Sequence, residues 1–311
     1  ACAAIASLVV TAMTIASDAP PGRRELRVGT PRGLSNPLAF FVGEPPEVRG
    51  PPVPTSRLIT LGKEAASLRR KGRSTEPADA MMMSMMSAVG PSGLPGDLDD
   101  PVTRIDLPCT VNGQITSGTV DRYRFAARKG QRLVLRAQAR ELVPFMADAV
   151  PGWFQPVLAL WDAKGREVAY RDDYGFRPDP VVIYEVPADG EYLFAIYDAI
   201  YRGREDFVYR VSIGELPFVT SIFPLGGPAA APPAVALSGV NLAGAEARAK
   251  SGAPGVQVLV GRGRGGQLSD PVPFALDTLP ECLEAEGNDT ARRAQRLALP
   301  VGHPERELVD A

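Results

Sequence analysis

The residue types that perform most enzymatic chemistry are scarce in this chain. Its single histidine, His303, lies near the C-terminal end without a prepared neighbour, which disfavours a Ser-His-Asp triad or a Cys-His pair. Acidic pairs such as Asp172 and Glu185 have the chemistry that glycosidases use. Carboxylates of this kind are, however, usually solvated at the surface. We therefore predict no catalytic residues and expect that the chain is not an enzyme.

Cysteine usage and net charge exclude further classes of function. Cys2, Cys109 and Cys282 are odd in number and widely spaced, a pattern that fits neither a zinc site nor a disulfide framework. They are predicted to be small buried hydrophobic residues. The net charge of −2, with both signs mixed along the chain, disfavours a nucleic-acid partner. No apolar run reaches the roughly 18 residues that a membrane span needs.

Aromatic side chains are the second group with binding chemistry, because exposed rings stack on sugars or dock against proteins. The segment from Phe145 to Phe154 is longer than a hairpin needs and carries Trp153 in a predicted loop. We predict ligand-binding roles for Trp153, Phe154 and Tyr174, with Trp153 as a cap on the core as the alternative. The aromatic residues of this region are Trp153, Phe154, Trp161, Tyr170, Tyr174, Phe176, Tyr197 and Tyr201.

Short strands must position these side chains. The 31 prolines and 31 glycines punctuate the chain at short intervals, which favours many strands joined by turns over long helices. Between Val111 and Ile213, apolar and polar residues alternate as in a half-buried antiparallel sheet. The residues predicted to face inwards include Tyr123, Phe125, Leu133, Leu135, Tyr192, Phe194, Ile196, Phe207, Tyr209 and Val211.

An internal repeat joins the two ends of the chain. Leu34–Phe40 matches Leu268–Phe274 at a distance of 234 positions, and Pro21-Gly22 matches Pro254-Gly255 one position off that distance. The repeat predicts an array in which a small module alternates with a larger one. Insertions in the first copy, including the methionine-rich residues 81–86, are predicted as loop or linker.

The larger module resembles the bacterial pre-peptidase C-terminal domain, a jelly-roll-like β-sandwich. The resemblance covers about residues 76–214, and its motifs occur in the family's order. These motifs are Val111-Asn112-Gly113-Gln114-Ile115, Val120-Asp121-Arg122-Tyr123-Arg124-Phe125, Lys129-Gly130-Gln131-Arg132-Leu133 and Pro187-Ala188-Asp189-Gly190-Glu191-Tyr192.

The smaller module resembles an immunoglobulin-like IPT/TIG module, through Val219–Gly227 and Leu237–Leu242. The expected fold class is therefore all-β: a jelly-roll-like antiparallel β-sandwich flanked by partial and small immunoglobulin-like β-sandwich modules. The expected domains are the closing part of an Ig-like module (1–43), a linker with the methionine-rich insertion and a degenerate opening segment of the larger domain (44–103), the larger sandwich (104–215), an Ig-like module (216–278) and a truncated second copy of the larger domain (279–311).

Calcium is implied by the resemblance, because members of the family open with a Glu-x-Asn-Asp-Thr segment and collagenase-type relatives use such acidic segments to bind it. Calcium takes about 6 to 8 oxygen ligands. In the complete copy Ala78 replaces the family's Asn, which reduces the ligand set. The predicted ligands are Glu76, Asp79, Asp121, Asp172 and Asp173 in the complete copy, and Glu284, Glu286, Asn288 and Asp289 in the truncated one.

The resemblance also implies a location and a role. We expect an extracytoplasmic, secreted or cell-surface, non-catalytic binding or spacer module of a multidomain bacterial protein. Its expected partners are a polysaccharide or an extracellular or cell-surface protein, with no cofactor other than calcium. The alternative is an accessory domain of a secreted peptidase whose catalytic domain lies outside this chain.

Overall fold

The protein is almost entirely β-structure. The computed structural model describes residues 12–50, 102–116, 118–143, 154–204, 206–279, 281–282, 284–299 and 306–307. Strands account for 49% of the structure and helix for 1%, which confirms the predicted all-β class. The chain divides into two compact units, Ala1–Phe125 with Arg136–Val181 and Tyr192–Ser212, and Ala126–Leu135 with Val182–Glu191 and Ile213–Ala311. The domain boundaries proposed from sequence stay predictions.

Short strands follow one another along the described residues. The first five are β1 (Gly22–Leu26), β2 (Gly29–Thr30), β3 (Gly33–Leu34), β4 (Leu38–Val42) and β5 (Glu47–Arg49). The next nine are β6 (Val102–Arg104), β7 (Cys109–Gln114), β8 (Asp121–Ala127), β9 (Arg132–Gln138), β10 (Pro156–Trp161), β11 (Glu167–Arg171), β12 (Val181–Glu185), β13 (Gly190–Asp198) and β14 (Val208–Gly214).

Two five-stranded sheets form the larger sandwich. The front sheet has the order β11-β10-β13-β8-β6, and the back sheet has the order β12-β9-β14-β7-β5. From β7 to β14 the chain passes between the sheets in the order of a jelly roll, as predicted. Strand alternation places the predicted inward rows in the core, where Tyr123, Leu133, Phe194, Tyr209 and Ile213 are all at most 1% exposed.

The segment predicted as a linker begins and ends with strands that belong to these sheets. Strand β5 pairs in parallel with β7, and β6 pairs in parallel with β8. Glu47 of β5 accepts hydrogen bonds from both terminal nitrogens of Arg210, at 2.7 and 3.0 Å, and from the side chain of Asn112. Strands of three residues are too short to show alternation, so the sequence pattern did not reveal them.

A smaller set of strands follows the sandwich. These are β15 (Phe218–Phe223), β16 (Gly226–Pro228), β17 (Ala234–Val240), β18 (Glu246–Arg248), β19 (Gly255–Leu259) and β20 (Val272–Asp277). They form two three-stranded sheets, β15-β17-β18 and β16-β20-β19. Ala229, Val235, Leu259, Phe274 and Leu276 make their common core. A 3-10 turn (Ala291–Arg293) and the strand pair β21 (Ala298–Leu299) and β22 (Arg306–Glu307) complete the described residues.

The structure confirms that the sequence repeat is a structural repeat. Strands β1 and β4 form an antiparallel hairpin, here called hairpin 1 (residues 22–42), and β19 and β20 form hairpin 2 (residues 255–276). Gly22 pairs with Val42 in hairpin 1, and its counterpart Gly255 pairs with Leu276 in hairpin 2. All five residue pairs of the two hairpins correspond in this way, and both glycines have positive φ.

The loops of the two hairpins are closed by the same three hydrogen bonds. In hairpin 1 the Ser35 amide donates to the Val28 carbonyl at 2.9 Å, and Ser35 Oγ accepts from the Val28 amide at 2.9 Å. In hairpin 2 the Ser269 amide donates to the Gly261 carbonyl at 2.8 Å, and Ser269 Oγ accepts from the Gly261 amide at 2.7 Å. Each serine hydroxyl donates to the carbonyl of the next residue at 2.9 Å.

Candidate binding site

The connection between β11 and β12 ends in a tight turn at residues 174–177. The Tyr174 amide donates to the Arg177 carbonyl at 2.9 Å, and the Arg177 amide donates to the Tyr174 carbonyl at 3.1 Å. The two central residues both have positive φ, +54° at Gly175 and +64° at Phe176, as a type I′ turn requires. This turn type normally takes Gly, Asn or Asp at both central positions, so a phenylalanine in the second is unusual.

Phe176 is held out into solvent by this turn. Its relative exposure is 108%, the highest among the large hydrophobic side chains of the described residues. A left-handed backbone costs a residue other than glycine roughly 1–2 kcal/mol, and full exposure of the ring returns none of that cost through burial. Strained backbone of this kind is concentrated at functional sites. Phe176 therefore marks the turn as a candidate binding site.

A half-buried carboxylate anchors the base of this loop. Asp179 accepts hydrogen bonds from the backbone amides of Ala139, Arg140 and Glu141, at 3.1, 2.7 and 2.9 Å. The Ala137 amide donates to the Pro180 carbonyl at 3.0 Å. Burial raises the pKa of Asp179 although the three amides lower it. The loop is thus fixed to the end of β9 while its tip projects.

Charged and phenolic residues precede the turn in the sequence. Tyr170, at the end of β11, is 42% exposed, and Tyr174 and Asp172 are half-buried while Asp173 is exposed. Desolvation and then the negative charge of Asp172 raise the pKa of the Tyr170 phenol. The turn therefore combines an apolar tip with hydrogen-bonding groups at its base, as protein-binding anchors do.

The other predicted ligand-binding residues have different positions. Phe154 is 5% exposed and stacks on Phe207 with ring centroids 5.1 Å apart, so it packs in the core and does not present a ring to a ligand. Trp153 lies outside the described residues. Of the three predicted aromatic residues, only Tyr174 belongs to the turn at residues 174–177. The sequence analysis did not select Phe176 as a binding residue. The sequence does indicate a turn there, because Gly175 precedes Phe176 in a segment rich in Asp and Pro.

Asp121, a predicted calcium ligand, takes part in a hydroxyl network at the sandwich core. The Tyr209 hydroxyl donates to Asp121 at 2.5 Å and lies 2.7 Å from the Tyr123 hydroxyl. Burial raises the pKa of both phenols far above the usual value, so both keep their protons. Gly113 lies against Tyr209, where a Cβ atom would overlap the tyrosine hydroxyl. Motif residues of the family resemblance thus pack this core.

The remaining predicted calcium ligands do not form a site within the described residues. There, no group of three or more His, Cys, Asp and Glu side chains is placed to hold a metal ion. Glu76 and Asp79 lie outside the described residues. Asp172 and Asp173 belong to the loop described above. Glu284, Glu286 and Asp289 are exposed and Asn288 is half-buried, in an irregular segment. Calcium binding stays a prediction.

The predicted burial of the cysteines is right for one residue and wrong for another. Cys109 is buried, as predicted, and burial followed by the charge of Asp106 raises the pKa of its thiol to about 11. Cys282 is exposed, so its predicted burial is wrong. The prediction failed because the segment that contains Cys282 is irregular, unlike β7, and contributes nothing to a core.

Within the described part of the chain, no helix has the length and apolar character that crossing a bilayer would take.

Comparison with known proteins gives only distant structural likenesses. No protein-family model matches the chain, and no curated protein matches it. Among solved structures, it is similar to the pre-peptidase C-terminal domain of a Bacillus anthracis collagenase, with 16% identity over 38% of this chain and 99% of that one, and a TM-score of 0.27. It is also similar to the PliG periplasmic inhibitors of g-type lysozyme from Aeromonas hydrophila (14% identity, 36% and 96% coverage, TM-score 0.27) and Salmonella Typhimurium (17%, 36% and 96%, 0.24). Function must therefore be inferred from this chain's own residues.

Proposed function

We propose that this chain is a non-catalytic binding module of an extracytoplasmic bacterial protein, and that it binds its partner through the turn at residues 174–177. One observation carries the proposal: a jelly-roll sandwich holds the Phe176 ring fully in solvent on a strained backbone. The extracytoplasmic location is supported by the motif resemblance of residues 76–214. Loops on a rigid sandwich commonly serve as binding surfaces.

The shape of the turn favours a protein as the partner. A single projecting ring fits a concave apolar pocket, whereas binding to an extended polysaccharide generally uses a flat platform of rings. Arg171, Asp172, Asp173 and Arg177 around the tip supply charges for the polar rim of a protein interface. The partner class we propose is an extracellular or cell-surface protein. In the alternative role, as accessory domain of a secreted peptidase, the same turn would contact a protein substrate.

A capture screen tests the proposal. The purified chain is immobilised and exposed to a panel of extracellular proteins from bacteria and, separately, to insoluble cellulose, chitin and peptidoglycan. We expect saturable capture of a protein by the wild-type chain and at least about tenfold weaker capture by Phe176→Asn, as for loss of an interface anchor. Capture of a polysaccharide in place of a protein would refute the proposed partner class.

A matched control separates the turn from general surface hydrophobicity. Ile200 is also a large apolar residue, 60% exposed, and lies in a different connection, between β13 and β14. Ile200→Asn should bind like wild type. If Ile200→Asn weakens capture as much as Phe176→Asn, the binding is non-specific hydrophobic adhesion and the proposed role of the turn fails.

A further inference from the structure

The outer face of the front sheet, opposite to the sandwich core, carries a second apolar cluster. Strand alternation places Ala195 and Tyr197 on this face, because Phe194 packs in the core. Tyr201, in the connection that follows β13, packs against the same cluster. The face therefore brings together two tyrosines that are four positions apart in the chain. The buried members of the cluster are Val120, Val157, Ala159, Trp161, Ala195 and Tyr197.

The rings of Tyr197 and Tyr201 are stacked almost in parallel. Their centroids are 5.3 Å apart, and their planes differ by 4°. Burial raises the pKa of the Tyr197 phenol, and a hydrogen bond between the two hydroxyls contributes to the increase. Parallel rings whose hydroxyls are hydrogen-bonded also have the carbons ortho to those hydroxyls near one another. The pair is thus arranged for a reaction between the two rings.

The turn after β13 holds Tyr201 in this position. The Tyr201 amide donates to the Asp198 carbonyl at 2.8 Å, and the Gly118 amide donates to the Tyr201 carbonyl at 2.8 Å. The fully buried Asp198 carboxylate accepts from the amides of Ile200 and Arg202 at 3.2 and 3.0 Å. Tyr201 itself has φ +57°, in the left-handed region that residues other than glycine disfavour. The backbone therefore fixes the stacked rings at the cost of local strain.

The stacked pair is partly open to solvent. Tyr201 is half-buried, and Tyr197 is 8% exposed. The core tyrosines Tyr123 and Tyr209 also have neighbouring hydroxyls, 2.7 Å apart, but they are only 0% and 1% exposed. A soluble oxidant can therefore reach Tyr201 but not the pair in the core.

We propose that Tyr197 and Tyr201 are a modification site at which a haem peroxidase, with hydrogen peroxide, couples the two rings into dityrosine. The peroxide receives one electron and one proton from each phenol through the enzyme and is reduced to two molecules of water. Each phenol O–H bond breaks, and the two phenoxyl radicals form a carbon–carbon bond between positions ortho to the oxygens. The hydrogen on each of these carbons then moves to the oxygen of its own ring. Both phenols are restored, and the chain loses two hydrogen atoms in all.

The geometry favours coupling within one chain over coupling between chains. Groups that a fold holds side by side react as if at a concentration far above that of the dissolved protein. Burial raises the pKa of both phenols, so each keeps its proton at neutral pH until an oxidant removes the proton together with an electron. The product ties the connection after β13 to the outer face of the front sheet.

Oxidation of the full chain by a plant haem peroxidase and hydrogen peroxide tests the proposal. The chain is kept dilute, the monomer is isolated by gel filtration, and the tryptic peptide of residues 172–202 is analysed by tandem mass spectrometry. We expect this peptide to lose two hydrogen atoms. It should give no fragment ions from chain cleavage between Tyr197 and Tyr201, because the new bond closes a ring there. N-acetyltyrosine, oxidised in parallel, shows that the peroxidase is active.

Two phenylalanine variants provide matched controls. Tyr201→Phe keeps a stacked ring but removes its phenol, and it should reduce the yield of the product within one chain at least about tenfold. Tyr184→Phe removes another half-buried phenol of the same peptide, in β12, and should leave the yield unchanged. A wild-type peptide that keeps all its hydrogen atoms while N-acetyltyrosine is oxidised would overturn the proposal. Equal yields from wild type and Tyr201→Phe, or dityrosine found only between chains, would overturn it as well.

Discussion

Replacing Phe176 by asparagine is expected to strengthen the fold and to weaken binding. The ring is fully exposed, so its removal sacrifices no buried apolar surface. Asparagine tolerates the left-handed region that Phe176 occupies at φ +64°. Since that conformation costs an ordinary residue roughly 1–2 kcal/mol, we expect the free energy of unfolding to rise by about 1 kcal/mol. The melting temperature should increase by about 2–4 °C.

An alanine at the same position separates the two effects. Phe176→Ala removes the ring but keeps an L-residue with no special tolerance for positive φ, so its unfolding free energy should stay within about 0.5 kcal/mol of wild type. Urea denaturation of both variants measures this difference, provided that the slope of the unfolding free energy against urea is unchanged. Both variants should lose capture of the partner protein to the same extent.

Two results would refute this reasoning. A loss of stability in Phe176→Asn would mean that the ring packs against the protein and that the turn is not strained. A gain in stability with unchanged capture would confirm the strained backbone but remove the proposed reason for it. The combination that we expect, greater stability with weaker binding, is the signature of a residue retained for function at the expense of the fold.

The other predictions concern the sandwich and its carboxylates. Asp198 is fully buried and accepts hydrogen bonds from Arg202 at 2.9 and 3.0 Å, so Asp198→Ala should lower the unfolding free energy measured in urea by about 3–5 kcal/mol. Gly113→Ala, by forcing a Cβ against the Tyr209 hydroxyl, should cost about 1–3 kcal/mol in the same assay, and a neutral effect would contradict the packing described above. The pKa of Asp162 is lowered, mainly by hydrogen bonds from Arg166, so the stability it gives is present above the ordinary carboxyl pKa and is lost as the pH falls through its folded value. The pKa of Asp179 is raised by burial, so its contribution to stability is greatest below the ordinary carboxyl pKa and is lost as the pH rises through its folded pKa. A carbon-detected NMR titration should therefore find the pKa of Asp162 below the ordinary carboxyl pKa and that of Asp179 above it. If the resemblance is right about calcium, adding calcium should raise the melting temperature and EDTA should reverse the effect, and an unchanged temperature rejects it.

Sequence alternation predicted the fold because strands such as β14 bury one row of side chains more than the other, although β10 is buried along its whole length. Rows such as Tyr123 with Phe125 carry that signal within a few residues, and they are buried as expected. Strand β5 gave no such signal. Its place depends on Arg210, which lies 163 residues from Glu47 in the chain and is hydrogen-bonded to it. Contacts at such separation leave no local pattern in a single sequence.

The candidate site was only partly predictable for the same reason. Asp121 was predicted as a calcium ligand from the family resemblance. Its hydrogen bond from Tyr209 joins residues 88 positions apart, which the sequence pattern does not show. Phe154 was assigned to a binding loop because the segment that begins at Phe145 is longer than a hairpin needs. The ring that stacks on it, Phe207, is distant in sequence, so its burial left no local signal. Phe176 was noted among the aromatics but not selected, since hydrophobicity alone predicts burial and the turn geometry that exposes it depends on two positive φ angles.

The motif residues of the family resemblance have a structural role, whereas the role that we propose for Phe176 is binding. Asn112 hydrogen-bonds to Glu47 and Gly113 packs against Tyr209, both within the back sheet. Asp121 and Tyr123 of the front sheet hydrogen-bond with Tyr209 of the back sheet, so these motif positions maintain the sandwich. Motifs of that kind can persist in modules with unrelated partners, because they maintain the scaffold and do not touch a ligand. Binding specificity then has to come from the connections between strands. At the turn that contains Phe176 the backbone is strained while a large ring is fully exposed, and it is there that a change of partner would require a change of sequence.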